Sequence, residues 1–356
     1  MKRIAIKIGS NVLTRDDGTL NITRMSALVD QTAELHKQGI KIIIISSGAV
    51  ASGRSEIKIE KKLDSVLARQ LYSSVGQAKL INHYYELFRN HGIVCGQVLT
   101  TKENFSSRSH YLNQKHCMEI MLENKVIPIV NENDTVSVSE LMFTDNDELS
   151  SLIVTMMKMN ALIILSDVDG IYNGNPTDPN ASVIREITED KDISNYVQTT
   201  QSSFGRGGMQ TKYRIAQKVA DEGTTVIIAN GQRENILLDL LKTKNNVVHT
   251  QFKPAQKTIS SVKTWIAHSE DFAKGKVYIN KGATKALQET KAISILLVGV
   301  TRIVGSFEKD DIVRIMDENG VQIGIGRSNY DSREATQYIG KHDMKPLIHY
   351  DYLYLE

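Results

Sequence analysis

The chain has 356 residues, of which 41% are apolar and 24% are charged. This composition is typical of a folded, enzyme-sized protein and excludes an intrinsically disordered chain. Lys and Arg number 43 and Asp and Glu number 41, so the formal charge is only +2. The molecule as a whole therefore has no strong electrostatic attraction for nucleic acid or for an anionic membrane.

Two further features bear on where the protein works. Its two cysteines, Cys95 and Cys117, are too few for a disulfide framework in a chain of this length. The first residues alternate apolar side chains around Lys7 and lack the apolar core of a signal peptide, and no run approaches the roughly 18 apolar residues of a membrane span. We predict a cytoplasmic protein with no membrane partner.

The first two-thirds of the chain alternates apolar runs with segments of helical period. The runs cover residues 41–46, 126–130, 161–166 and 224–229, and each is typical of a buried parallel strand. Apolar residues at helical spacing precede Gly39 and Gly92, which are suited to end helices. The pattern predicts an α/β fold of three layers, with a mainly parallel sheet covered on both faces.

The pattern changes near residue 255. Short β-type runs follow at residues 277–279, 295–300, 312–316 and 321–325, and residues 317–320 resemble a hairpin turn. We predict an α/β domain over residues 1–255, a linker over 256–270 and a small β-rich domain over 271–356. The last segment contains 12 basic and 12 acidic residues and is formally neutral.

Ligands of open α/β sheets bind beyond the carboxyl ends of the strands, so the residues that follow each strand are the candidates for binding and catalysis. Lys7 lies in an apolar strand just before a turn at Gly9. It is either a phosphate contact, helped by backbone N–H groups of the turn, or an edge-strand lysine that reaches water. Ser47 and Gly48 follow the next strand, where the glycine permits close approach of a ligand or makes a plain turn.

Acidic and amide side chains crowd two short segments, residues 131–134 and 145–148. Their oxygens suit an ammonium group or Mg²⁺. Helix capping is an alternative for Asp145, because acidic residues favour the start of a helix.

Residues 203–212 form a glycine-rich segment that opens a helix and carries Lys212 on its first turn. It can hold anionic oxygens, or it is a mobile surface loop. Neither a Walker sequence nor GxGxxG is present, so a different nucleotide fold is required. The cysteines and histidines lack the spacing of metal ligands, and we predict no metal site built from them.

Taken together, these segments resemble the bacterial glutamate 5-kinases, which are amino-acid-kinase enzymes of proline biosynthesis that often carry a C-terminal PUA domain. The resemblance runs essentially from end to end. It is most specific in residues 7–13, 46–49, 130–134, 145–150, 167–172 and 207–212.

The resemblance implies transfer of the γ-phosphoryl group of ATP to the side-chain carboxylate of L-glutamate, with Mg²⁺ on the nucleotide. The product would be γ-glutamyl phosphate, which a glutamyl-phosphate reductase would consume. It also implies a homotetramer and feedback inhibition by proline.

Site residues carried over from the family fall into three groups. Lys7, Asp147 and Lys212 would be catalytic, with Asp147 holding the two lysines, and Ser47, Asp134 and Asn146 would bind glutamate. The nucleotide would contact Lys7, Gly9, Ser166, Asp167, Arg206, Gly207, Gly208, Met209, Gln210, Thr211 and Lys212.

The tail resembles a PUA domain in residues 280–283, 297–300 and 324–330. PUA domains elsewhere bind RNA, but the neutrality of this one argues against strong non-specific RNA affinity. Two alternatives stay open. One is an amino-acid-kinase-fold enzyme that acts on another small acid or phosphate, and the other is an RNA-binding module on a degraded kinase scaffold.

Overall fold

A computed structural model describes most of the chain. The described residues are 1–60, 63–105, 108–137, 143, 145–175, 178–188, 208–242, 246–255, 265–266, 269–289 and 293–355. They divide into two compact units, the first within residues 1–102 and 113–258 and the second within 103–112 and 259–356. The division into 1–255, a 256–270 linker and 271–356 stays a prediction.

An eight-stranded sheet forms the centre of the first unit, in the order β3-β4-β2-β1-β5-β7-β8-β6. All neighbours are parallel except β7 and β8, which are antiparallel. The strands are β1 (Arg3–Ile8), β2 (Lys41–Ser46), β3 (Cys95–Thr100), β4 (Ile127–Glu132), β5 (Ala161–Ser166), β6 (Glu186–Ile187), β7 (Thr225–Asn230) and β8 (His249–Phe252).

The mainly parallel α/β fold is thus confirmed, and four of its strands lie where the apolar runs predicted them. The pattern missed β3, β6 and β8. The burial of β3 alternates along the strand, and it lies at one edge of the sheet, so it has no continuous apolar run.

Helices pack against this sheet. The helices are α1 (Ser10–Leu13), α2 (Ile22–Lys37), α3 (Ala49–Arg54), α4 (Ser65–Arg89), α5 (Arg108–Glu123), α6 (Asn146–Met156), α7 (Met209–Asp221) and α8 (Ile236–Leu240). Of α5, only residues 113–123 belong to this unit. Side-chain caps fix where two long helices begin: Asn21 accepts from the N–H of Arg24, and Asp64 accepts from those of Val66 and Leu67.

Strand β1 lies in the buried core, between β2 and β5. Ile6 is paired in register with Ile44 on one side and Ile163 on the other, and all three are fully buried. Burying each such side chain stabilises the fold by about 1.5–3 kcal/mol. Because β1 is paired with a neighbouring strand on each side, the positions of its polar residues are fixed by the sheet.

Two glycines allow α3 and α4 to cross at very short distance. A Cβ atom added at Gly76 would overlap the carbonyl oxygen of Ala49, and one added at Gly53 would overlap that of Tyr72. Only hydrogen atoms fit between these backbones. The crossing therefore fixes α3, and with it the turn through Ser47 that precedes α3.

We expect Gly76→Ala to lower the free energy of unfolding by about 1–3 kcal/mol, because the methyl group must push α3 away from α4. Alanine is favoured over glycine inside a helix by about 1 kcal/mol, so a net loss would come from the clash. Chemical denaturation measures the change, with Ser74→Ala on the same helix as the control. Equal or higher stability of Gly76→Ala would contradict the close crossing.

The second unit contains a five-stranded sheet in the order β10-β9-β11-β12-β13. Its elements are β9 (Gly275–Ile279), helix α9 (Lys281–Glu289), β10 (Val300–Gly305), β11 (Ile312–Met316), β12 (Gln322–Arg327), helix α10 (Ser332–Gln337) and β13 (Leu353–Leu355). The hairpin turn is confirmed, since Asp317 accepts from the N–H groups of Asn319 and Val321 between β11 and β12.

One strand prediction in this unit was wrong. Residues 295–300 are an isolated bridge at Ile295 and a 3-10 turn, Leu297–Gly299, and the strand begins only at Val300. A short apolar run does not distinguish a strand from a buried irregular segment. Residues 103–112 also belong to this unit, where the indole of Trp265 donates to the carbonyl of Phe105 at 2.9 Å.

Within the described part of the chain, no helix has both the length and the apolar composition needed to cross a bilayer.

Candidate active site

Lys7 lies on the central strand of the large sheet, between Ile45 of β2 and Ile164 of β5. It is only 5% exposed. The interpretation of Lys7 as an edge-strand lysine that reaches water is therefore wrong. A buried ammonium group needs an anionic partner, because removing a charge from water without one is costly.

That partner is Asp147, which contacts two lysines at once. Its Oδ1 lies 2.5 Å from the Nζ of Lys7, and its Oδ2 lies 3.3 Å from the Nζ of Lys212. Asp147 is 1% exposed. The sequence places these residues far apart in the chain, and the fold brings all three together.

Burial alone would raise the pKa of Asp147, but the ammonium groups of Lys7 and Lys212 outweigh it and hold the pKa below its usual range. Asp147 is therefore ionised at neutral pH. With two ammonium groups and one carboxylate, the three side chains carry one net positive charge. Two ammonium groups bridged by one carboxylate suit an anionic ligand such as a phosphate.

Helix α6 positions Asp147. Asp145 caps the helix by accepting from the N–H groups of Asp147 and Glu148, at 2.9 and 3.1 Å, so the capping interpretation is confirmed. Burial and the nearby charge of Asp147 raise the pKa of Asp145. The cap sets the helix start such that Asn146 and Asp147 occupy its first turn.

Helix α7 brings Lys212 to the site. Gly208 is its N-cap and has no side chain to bond the free N–H groups of the first turn. Met209, Gln210, Thr211 and Lys212 form that turn. The N–H of Lys212 donates to the carbonyl of Gly208 at 3.2 Å, and the turn, as the positive end of the helix, favours an anion. Arg206 and Gly207, which the family resemblance also includes, lie outside the described residues, as do residues 203–205 of the predicted glycine-rich segment.

Three more predicted residues gather where β1 and β5 end. The N–H of Gly9 donates to the carbonyl of Leu165 at 3.0 Å. Asp167 accepts hydrogen bonds from Asn11 at 2.8 Å and from Ser166 at 3.0 Å. Burial opposes ionisation of Asp167, but these hydrogen bonds prevail and lower its pKa.

A second group of polar residues begins at Asn146, beside Asp147. The Asn146 amide donates to the Ser46 carbonyl, to Ser47 Oγ and to Asn131 Oδ1, at 3.1, 3.0 and 3.1 Å. Asn131 in turn donates to Gln77 of α4 at 2.8 Å. The backbone folds back after Ser47 because Gly48 adopts φ +107°, which favours glycine.

Asp134 extends this polar group beyond β4. One of its oxygens pairs with the guanidinium of Arg69, and the other accepts from Ser73 at 2.9 Å. Arg69 also contacts Glu132 at 2.7 Å. Burial and the charge of Asp134 raise the pKa of Glu132, despite the opposing effect of Arg69.

A cavity of about 230 Å³ adjoins these carboxylates. It is lined by Ser73, Ser74, Gln77, Ala78, Gln97, Leu99, Glu132, Asn133, Asp134 and Thr135. Ser47, Asn146 and Asp134 are thus parts of one polar region, connected through Asn131 and Gln77.

Sequence reasoning missed the contribution of α4. Arg69, Ser73 and Gln77 recur every four residues along that helix, which places them on one face. The apolar residues at helical spacing before Gly92 predicted this helix, but its polar residues make the contacts to the site. The polar residues at four-residue spacing, next to the apolar face of the helix, could have indicated this contribution from the sequence.

The chain is similar to known proteins over both of its units. The sequence profile of the amino acid kinase family matches residues 2–230, and that of the PUA domain matches residues 275–349. The large and small sheets described above correspond to these two matches.

Two relatives align over nearly all of the chain. A protein of Bacteroides thetaiotaomicron named glutamate 5-kinase is 69% identical, with 99% of this chain and 98% of that protein covered. One of Chlorobaculum tepidum with the same name is 44% identical, covering 99% and 97%. Among solved structures, carbamate kinase from Giardia lamblia bound to AMP-PNP is 15% identical with a TM-score of 0.53, over 71% of this chain and 99% of that one. That likeness shows the fold.

Proposed function

This chain belongs to the amino acid kinase family, and from that premise we propose that it transfers the γ-phosphoryl group of ATP to the side-chain carboxylate of L-glutamate. The products are ADP and γ-glutamyl phosphate, as the first step of proline biosynthesis. Two full-length relatives named glutamate 5-kinase support this substrate.

The observation that carries the proposal is the bridging of Lys7 and Lys212 by one buried carboxylate, that of Asp147. Phosphoryl transfer spreads negative charge over the oxygens of the moving group, and enzymes accelerate it mainly by positioning and by compensating charge. The two ammonium groups supply that charge, and Asp147 keeps them in place before the nucleotide arrives.

The acceptor needs no activation by a base. A glutamate carboxylate is ionised at neutral pH, since its ordinary pKa is about 4.3, and is already a nucleophile. Catalysis then requires the carboxylate to be aligned with the γ-phosphorus and the leaving ADP to be stabilised.

ATP fits the residues near Lys7. The first turn of α7 and Lys212 would contact its phosphates, and Gly9, Ser166 and Asp167 lie beside them at the strand ends. Mg²⁺ would enter on the nucleotide, because it prefers phosphate oxygens and water. Among the described residues no group of three or more possible metal ligands occurs, so we assign no protein ligand to the metal.

Glutamate fits the second polar group. Ser47 and Asn146 would orient its carboxylates through neutral donors, and Asp134 would pair with its ammonium group. The adjacency of Asn146 and Asp147 on α6 sets the acceptor site directly beside the phosphate site.

We expect Asn146→Ala to raise the KM for glutamate by about tenfold or more, because a half-buried donor that orients Ser47 and Asn131 is lost. The KM for ATP should change little. Steady-state kinetics with each substrate varied in turn measures both values, and the exposed Asn124→Ala serves as a control. An equal rise in both KM values would contradict a role confined to the acceptor site.

A trapping experiment tests the reaction itself. Purified protein is incubated with Mg²⁺, ATP and L-glutamate in a coupled assay for ADP, and hydroxylamine converts any acyl phosphate to the hydroxamate. Formation of hydroxamate that depends on glutamate would support glutamate as the substrate and an acyl phosphate as the product. Aspartate, N-acetylglutamate and UMP are tested as alternative acceptors. Turnover of one of these in place of glutamate would overturn the assignment of glutamate as the substrate.

Several expectations about partners and organisation rest on the family resemblance. We propose a cytoplasmic homotetramer, delivery of the product to a glutamyl-phosphate reductase and inhibition by proline. We also propose a regulatory or structural role for the PUA domain rather than RNA binding, with the domain division at residues 255 and 271. Glutamate turnover that is unchanged in millimolar proline would remove the inhibition proposal.

A further inference from the structure

Arg69 is shared by two buried carboxylates, those of Glu132 and Asp134. The proposed reaction gives a role to Asp134 but none to Glu132 or Arg69. The Arg69 guanidinium pairs with Glu132 at 2.7 Å and with Asp134, and both acids are more than nine-tenths buried. Arg69 extends from α4, whereas the acids lie at and just after the end of β4.

Each acid is fixed at both of its oxygens. Asp134 is held by Arg69 and by Ser73, which lies four residues further along α4. Glu132 is held by Arg69 and by the backbone N–H of Phe143 at 3.0 Å. Burial and the charge of Asp134 raise the pKa of Glu132, and the guanidinium of Arg69 and the N–H of Phe143 oppose that rise.

The charges of these three side chains do not cancel. Two carboxylates share one guanidinium, so the group Arg69–Glu132–Asp134 carries one net negative charge. If Asp134 were paired with Arg69 alone, the pair would be neutral and would attract a cation weakly. Glu132 offsets the guanidinium, and the excess negative charge remains available to a ligand.

This excess charge borders a space that a ligand can reach. Both acids line the 230 Å³ cavity, together with the neutral polar side chains of Ser73 and Gln77. Gln77 accepts a hydrogen bond from Asn131, which connects the cavity wall to Asn146.

We propose that Arg69 and Glu132 are positioning residues that orient Asp134 and keep its surroundings negatively charged, so that the enzyme selects acceptors that carry an α-ammonium group. The inference rests on the proposed function and deepens it. Neither residue needs to touch the substrate. Arg69 fixes the direction of the Asp134 carboxylate, and Glu132 restores the negative charge that Arg69 neutralises.

The test compares L-glutamate with glutarate, a dicarboxylate of the same length without the amino group. The ratio of kcat/KM for the two acceptors is measured by hydroxamate formation for the wild type, Glu132→Gln, Arg69→Gln and the double variant. Replacing Lys79 and Glu56, an exposed ion pair that also involves α4, by glutamine gives a matched control. Thermal unfolding shows which variants are folded.

Glu132→Gln makes the group neutral, and we expect the preference for glutamate over glutarate to fall by about tenfold or more, mainly through KM for glutamate. Arg69→Gln is also expected to raise the KM for glutamate, because one carboxylate oxygen of Asp134 loses its partner. The double variant restores one net negative charge, so its preference should recover relative to Glu132→Gln.

A different result is expected if Arg69 and Glu132 only stabilise the fold. The double variant would then be at least as impaired as either single variant, and glutamate and glutarate would be affected alike. An unchanged preference in folded Glu132→Gln overturns the inference, and this variant decides alone if the double variant does not fold. Failure of the wild type to form hydroxamate from glutamate would instead overturn the proposed function.

Discussion

Lys7→Met is expected to lower kcat by about three orders of magnitude or more, because removal of a positive charge that stabilises a transferring phosphoryl group has effects of this size. The methionine fills a similar volume on β1, and Asp147 keeps Lys212 as a partner. The fold should therefore persist. ADP release and hydroxamate formation at saturating ATP and glutamate measure the loss.

Lys102→Met is a suitable control for this experiment. Lys102 is 14% exposed at its side chain, close to the 15% of Lys212, and it also pairs with an acid of α6, Glu148, at 3.0 Å. It lacks a contact with Asp147 among the described ion pairs. We expect its kcat to stay within about threefold of the wild type, as for most changes away from the reacting atoms. Wild-type turnover in folded Lys7→Met would remove Lys7 from the mechanism.

The large sheet was largely predictable because a parallel strand buried on both faces is a continuous apolar run. Residues 41–46 and 161–166 have this character and became β2 and β5. The antiparallel β8 was not predictable in this way, since His249 and Gln251 interrupt its apolar pattern. Its place at the far side of β7 depends on tertiary pairing.

The candidate site, like the sheet, could be predicted only in part. Residues at strand ends and helix starts could be found, because topology alone brings Lys7, Ser47 and Asp134 to one edge of the sheet. The bridging of two lysines by Asp147 required the family resemblance, since residues 7, 147 and 212 have no periodic relation. The contributions of Arg69 and Gln77 depend on how α4 crosses the sheet, and sequence spacing does not determine that crossing.

Asp147→Asn is expected to lower both stability and turnover. The carboxylate is almost wholly buried, so its loss leaves the ammonium groups of Lys7 and Lys212 without their shared counter-charge. Breaking a buried ion pair by removing one partner typically costs about 3–5 kcal/mol. Because asparagine keeps the shape and some hydrogen bonding, we expect a loss near the lower end, about 3 kcal/mol. Chemical denaturation without nucleotide measures it.

The pH dependence of that loss identifies its cause. The pKa of Asp147 is lowered in the folded protein, so its contribution to stability is complete above the unfolded pKa, which is about 3.9, and disappears as the pH falls through the folded value. The stability difference between wild type and Asp147→Asn should therefore be constant from about pH 6 to pH 8 and shrink only below about pH 4. A difference that already changes near neutral pH would point to another titrating group.

Kinetics separate this positioning role from nucleotide binding. In Asp147→Asn the lysines still attract the phosphates, and they do so without competition from a carboxylate, so the KM for ATP should not rise. Their positions are no longer fixed, and kcat should fall by about 100-fold or more, as when a preorganised charge is displaced from a transition state. MgATP should also stabilise the variant against heat more than it stabilises the wild type, because the phosphates replace the missing counter-charge. A rise in the KM for ATP with unchanged kcat would instead assign Asp147 to nucleotide binding.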